Sequence, residues 1–146
     1  MVNTNADRAA AILPQILGIV SREDQYQSRN LELTVPELRF LNVLFWKEEC
    51  PMRSLSDELH VTPPSATITA DSLVHRGLIL RKEDKNDRRI VRVGLTKKGK
   101  STVQKFVAAR RKRWNEIMGS LEISDQKILM NSLQSLLSLL KKAEAT

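Results

Sequence analysis

Arg88 and Arg89 follow Asp87 in a cation-rich stretch, and a guanidinium is a planar fork of donors that matches a phosphate. Upstream, Thr62, Ser65, Thr67 and Ser72 supply hydroxyls, with Pro64 and Ile68 interleaved. Hydroxyls bond phosphate oxygens and base edges, and an apolar side chain such as Ile68 can pack on a thymine methyl. Cations close in sequence to a hydroxyl-rich run point to a polyanion partner. Catalytic chemistry finds no support: the chain has no phosphate loop, nucleophile elbow or metalloprotease helix pattern. Cys50 is the single cysteine, so no internal disulfide can form, which fits a reducing cytoplasm. It reads as an inert thiol rather than a peroxide sensor. His60 and His75 add too little for a zinc site. No enzyme activity, metal or cofactor is therefore expected.

The distribution of charge supports the same partner. The net charge is +7, from 24 basic and 17 acidic residues. Residues 81–113 hold 14 Lys and Arg against 3 Asp and Glu, a local +11; the remaining 10 basic and 14 acidic residues give −4. Positive charge confined to one block suits a polyanion met by one face. A solvated helical face is the competing reading of Arg110–Arg113. The length of 146 residues suits one domain with a real core. No apolar run reaches the length of a membrane span, and Met1–Arg8 lacks a signal pattern, so a cytoplasmic location away from membranes is expected.

Six helices and a hairpin would hold these residues. Asn5–Asn30 reads as a first helix, with Ile12, Leu13, Ile16, Leu17, Ile19 and Val20 at helical spacing. Pro14 should kink it or mark its true start. Leu33–Glu49 reads as a second, with Thr34 and Glu37 as a capping box and Leu33 and Leu38 as a staple. Its buried stripe is Leu38, Leu41, Leu44 and Phe45, and Cys50-Pro51 ends it. Met52 is assigned to a short strand, and Ser54–Leu59 to a third helix. Thr62 caps a fourth helix, Pro63 suits its first position, and Gly77 is its left-handed stop. Ala66, Thr69, Ala70 and Leu73 form its inner face; Pro64, Ser65, Thr67, Ile68, Asp71, Ser72 and His75 point out. Leu78–Glu83 and Ile90–Leu95 read as antiparallel strands around the turn-prone Asp84–Arg89. Thr96 caps a fifth helix with an apolar stripe from Val103 to Met118, broken at Gly119-Ser120. Ser124 is expected to cap a sixth helix, with Ile123 and Ile128 as its staple. That helix carries more apolar surface than one buried stripe needs, so part of it should pack on a second chain.

A helix pair followed by a basic hairpin is a winged-helix arrangement, and the order of elements resembles the MarR family of winged helix-turn-helix transcriptional regulators. The resemblance covers nearly the whole chain. Its most specific phrase is the wing, where Asp84, Asp87, Arg89, Leu95, Thr96 and Gly99 match an Asp-x-Arg-Asp-x-Arg run followed by Leu-Thr-x-x-Gly. Asn86 stands in place of the first arginine. The fourth helix departs further, with Ile68 and Ser72 where relatives often carry arginine.

The resemblance implies a mainly α fold with a small β wing: one domain over 1–146, a winged DNA-binding region at 33–99, and dimerisation helices at 5–30 and 100–142. It implies a homodimer on double-stranded DNA, most often as a repressor, with the fourth helices in successive major grooves about 34 Å apart. Thr62, Pro64, Ser65, Thr67, Ile68 and Ser72 would then contact DNA from the helix and Arg88 and Arg89 from the wing, while Asp87 orients a wing arginine. An anionic aromatic effector is also implied, with Tyr26, Phe40, Trp46, Phe106 and Arg110 as candidate lining. The near absence of cations on the fourth helix leaves a second reading open, a winged-helix module that binds protein.

Overall fold

A computed structural model describes residues 4–145. The chain divides into two compact units, Met1–Val107 and Ala108–Thr146. The elements in order are α1 (Asn5–Asn30), α2 (Val35–Lys47), β1 (Glu49–Pro51), α3 (Met52–Glu58), α4 (Pro63–His75), β2 (Ile79–Glu83), β3 (Val91–Leu95), α5 (Lys97–Gly119) and α6 (Ile123–Glu144).

Local chemistry sets the helix ends. Thr4 and Asp7 form a capping box that starts α1, and Pro14 lies inside the helix rather than at its start. Thr34 and Glu37 form the expected box at α2. α1, α3 and α4 each stop on a left-handed residue, Glu32 (φ 55°), His60 (φ 52°) and Gly77 (φ 70°) respectively. In each, two N–H groups turn back onto the last carbonyls, as when Gly77 and Leu78 donate to Val74 and Leu73 at 2.9 Å. Glycine takes this conformation freely; Glu32 and His60 take it at a cost of roughly 1 kcal/mol.

β2 and β3 begin one residue later than the sequence reading has them, and the larger differences lie around β1. α2 ends at Lys47, and Glu48 turns the chain with φ 63°. Glu49–Pro51 is then a strand, while Met52 opens α3 instead of lying in a strand. The cause is a distant partner: β1 pairs antiparallel with β3, through Cys50 opposite Val93 and Pro51 opposite Arg92. The wing is therefore a three-stranded sheet in the order β1-β3-β2, not a free hairpin.

The core of the first unit gathers Phe40, Leu41 and Leu44 from α2, Leu55 from α3 and Leu73 from α4 against Val93 of the sheet. α5 enters through the Leu-Thr-x-x-Gly phrase. The Thr96 hydroxyl donates to the Gly77 carbonyl (2.6 Å) and accepts the Gly99 N–H (3.0 Å). A Cβ on Gly99 would lie 1.8 Å from the Leu78 carbonyl oxygen, so only glycine allows this approach. α1 leaves Ile12, Ile16, Leu17, Ile19 and Val20 exposed.

In the second unit, Gln126 bonds the Met118 and Leu121 carbonyls across the turn into α6. The N-cap of α6 is Glu122, with no side-chain cap bond, so Ser124 is a first-turn residue and not the cap. Ile123 and Ile128 are 71% and 64% exposed, so the expected staple is not closed. α6 has no buried residue at all, although Leu133, Leu137, Leu139 and Leu140 are apolar.

Candidate nucleic-acid interface

The site candidates fall on α4 and on the wing, both in the first unit. Thr62 caps α4: its oxygen accepts the Ser65 N–H at 3.3 Å and its hydroxyl meets the Ser65 hydroxyl at 3.0 Å. The Thr67 hydroxyl donates to the Pro63 carbonyl at 3.0 Å, leaving its methyl and an oxygen lone pair outward. Pro64 and Ser65 are exposed, and Ile68 is 71% exposed, an apolar side chain open to a thymine methyl.

Ser72 differs from its expected outward reach. Its hydroxyl donates to the Glu37 carboxylate at 2.6 Å. The other Glu37 oxygen takes the Thr34 N–H at 2.8 Å and the Arg76 guanidinium at 3.1 Å. Burial alone would push the Glu37 carboxyl up; the bonds from Ser72 and Thr34 and the charge of Arg76 outweigh it and hold it below its ordinary value. Arg76 also donates to the Glu32 carbonyl at 2.8 Å, and the Lys98 ammonium donates to the Arg76 carbonyl at 3.0 Å. The C-terminal end of α4 is thus clamped from both sides, by the start of α2 and the start of α5.

At the wing tip, the Asp84 carboxylate accepts the N–H groups of Asn86 (2.8 Å) and Asp87 (3.2 Å), folding the turn. Asp87 grips Arg89 in a fork, Nε to one oxygen and a terminal nitrogen to the other, both at 3.1 Å. Those bonds hold the Asp87 carboxyl below its usual range. The Arg89 side chain is nevertheless 90% exposed, oriented but open to a ligand. Arg88 is exposed and has no side-chain partner among the described residues.

The formal charge of the wing overstates what it presents. Lys82 and Arg92 are both paired to Glu49, at 2.6 and 2.8 Å, and Arg92 reaches Asp84 at 3.3 Å. Arg81 is paired to Asp71. Sequence counting could not assign Glu49 to these lysine and arginine side chains, because β1 was not visible as a strand. It also passed over Arg53. This exposed side chain of α3 lines a cleft of about 480 Å³ with Pro63 and Thr67 of α4. It is the single Lys or Arg between Met52 and His75, and that isolation was the available signal.

The candidate effector residues are distributed differently from the expectation. Phe40 and Phe106 are buried in the apolar core, where helix packing uses their whole surface. Tyr26 and Trp46 are exposed, and Arg110 is half-buried in the second unit. Trp46 stands edge-on to Phe45 with ring centroids 5.1 Å apart, a packing contact. Cys50 is buried and its thiol is pushed up by that burial, which suppresses thiolate chemistry. Among the described residues no cluster of metal-ligating side chains occurs, and no helix is long and apolar enough to cross a membrane.

Residues 33–91 match the sequence model of the MarR family. No curated protein matches the chain by sequence. Solved structures match its fold. FabT of Streptococcus pneumoniae, solved in complex with DNA, is 22% identical with a TM-score of 0.83, covering 95% of this chain and 99% of its own. A MarR-family transcriptional regulator from Silicibacter pomeroyi is 20% identical with a TM-score of 0.76, covering 93% and 92%. NadR, solved with 4-hydroxyphenylacetate, is 21% identical with a TM-score of 0.73, covering 85% and 88%. The segment from Leu33 to Val91 is thus a match to the MarR family, set in a chain with the winged-helix fold of solved proteins that include a transcriptional regulator of that family.

Proposed function

We propose that the chain is a sequence-specific double-stranded DNA-binding transcriptional regulator that works as a homodimer on a pseudo-palindromic site. The observation that carries this reading is the pairing of two surfaces in one unit. The exposed α4 face is led by Ile68, and the wing tip holds out Arg89 on Asp87 beside exposed Arg88. In a winged helix such a helix enters the major groove while the wing meets the backbone or the adjacent minor groove. Thr62, Pro64, Ser65, Thr67 and Ile68 make the helix contacts, and Arg88 and Arg89 the wing contacts. Ser72 acts by fixing the helix through Glu37. The DNA complex of FabT supports the assignment by likeness of fold.

The second chain covers the apolar faces left open on α1 and α6, whose exposed leucines and isoleucines need a partner surface. The output is repression, relieved by a small anionic aromatic ligand. NadR with 4-hydroxyphenylacetate supports that class of effector, and Tyr26 and Trp46, both exposed in the first unit, are candidate contacts on this chain. The paired wing cations favour one competing reading, a module that binds protein through α4. Gel-shift titration separates them. Arg88→Ala/Arg89→Ala should weaken binding to a selected DNA fragment at least tenfold, with the circular dichroism spectrum and sedimentation of the dimer unchanged. Unaltered affinity removes the wing from the mechanism, and a wild-type chain that shifts no DNA favours the protein-binding module.

A further inference from the structure

Helical spacing puts Pro64, Ile68, Asp71 and His75 on one stripe of α4. Ser72 and Arg76 are turned aside to Glu37. The stripe therefore carries one carboxylate and no Lys or Arg, on the face that the proposed function sets against a polyanion. A bare Asp71 there would repel DNA of any sequence. The sheet supplies what the helix lacks. Arg81 lies within β2, opposite Val93 of the central strand, so it is carried on the paired part of the sheet and not on the wing tip. One terminal nitrogen meets the Asp71 carboxylate at 2.6 Å and the other the Thr67 carbonyl at 3.4 Å. Lys82, Arg89 and Arg92 pair with Glu49, Asp84 or Asp87, within the sheet and its turn. Among the described residues, this is the wing ion pair that crosses to α4.

We infer that Arg81 serves DNA reading through Asp71: it neutralises that carboxylate on the outward stripe of α4. The inference rests on the DNA-binding reading above. It concerns a residue pair outside the contact set given there. Arg81 is 31% exposed and Asp71 60%, so the guanidinium is spent on the helix while the carboxylate edge still faces out. Masking, and not phosphate contact, is the work this geometry gives to Arg81.

A charge cycle tests it. Arg81→Met keeps the aliphatic stem and uncovers Asp71; affinity for a selected DNA fragment should fall about tenfold. Arg81→Met/Asp71→Asn removes both charges and should return affinity to within about threefold of wild type. Asp71→Asn alone frees a cation. Binding should tighten, and the slope of log K against log salt should steepen by about 0.9, the increment for one phosphate contact. A double variant as weak as Arg81→Met overturns the inference, because Arg81 would then touch DNA itself. So does an Arg81→Met chain with wild-type affinity, or an Asp71→Asn chain that binds more weakly. If Arg81→Met fails to fold, the salt slope of Asp71→Asn decides alone. A wild-type chain without salt-sensitive DNA binding fails the proposed function, and the inference falls with it, an outcome distinct from a null cycle on a wild-type chain that binds.

Discussion

Glu37 is a buried charge that three donors share, and replacing it tests whether polar clamping holds α4. The side chain is 6% exposed and takes bonds from Ser72, Thr34 and Arg76. Glu37→Ala removes all three. A charge-assisted hydrogen bond contributes roughly 1.5–3 kcal/mol and a cap bond roughly 1 kcal/mol. Arg76 is one-third exposed and recovers part of its loss from water, so the sum discounts to about 2–4 kcal/mol. Glu37→Gln keeps the shape, and its amide can still satisfy Ser72 and one N–H donor; about 1–2 kcal/mol should be lost. The pH dependence identifies the charge. The folded carboxyl sits below its ordinary value near 4.5. Its contribution is therefore present above that value and disappears as pH falls through the lower folded one. Urea unfolding at fixed protein concentration, at pH 7 and at pH 3.5, measures both. Glu37→Gln should lie well below wild type at pH 7 and closer to it at pH 3.5. A Glu37→Ala loss under 0.5 kcal/mol at pH 7, or a Glu37→Gln difference that does not shrink in acid, refutes the reasoning.

Other outcomes follow from the same contacts. Gly99→Ala should cost about 2–3 kcal/mol in urea unfolding, since the methyl meets the Leu78 carbonyl oxygen at 1.8 Å; a neutral result means that the α5 start does not sit on that carbonyl. Glu49, Asp84 and Asp87 are held below their ordinary values, by Lys82 and Arg92, by the Asn86 and Asp87 N–H groups, and by Arg89 respectively. Their contribution is kept above the ordinary carboxylate range and lost below it, so wing amides should exchange faster at pH 3 than at pH 5 once corrected for intrinsic rates. Native Cys50 should react with a thiol reagent at least a hundredfold more slowly than in the unfolded chain, because it is buried with its thiol pushed up; comparable rates would show that β1 opens freely.

Much of this architecture was legible because its signals are local. Thr34, Thr62 and Thr96 announce helix starts through bonds that span three residues, and Gly77 announces a stop through its backbone freedom. Features that depend on distant partners were not legible. β1 is too short to declare itself and exists because β3 lies beside it, so local pattern alone puts Glu49 in a helix and Met52 in a strand. Glu32 and His60 stop their helices as Gly77 does, yet neither residue type signals a left-handed turn. The charge of the wing was legible as a sum but not as pairs: Glu49 and Asp71 come from outside the hairpin and take up Lys82, Arg92 and Arg81. Phe40 and Phe106 have the composition of pocket residues, and packing places them in the core. The hydroxyl of Ser72 reads as outward on a helical wheel until Glu37 turns it aside.

The central claim is sequence-specific DNA binding by α4 and the wing. Its most direct measurement is retention of sheared genomic fragments by the full chain at two salt concentrations, with sequencing of the retained pool. One enriched pseudo-palindrome is expected, with half-sites about one helical turn apart and enrichment that weakens as salt rises. A retained pool with no shared sequence at either salt, or no retention at all, contradicts it.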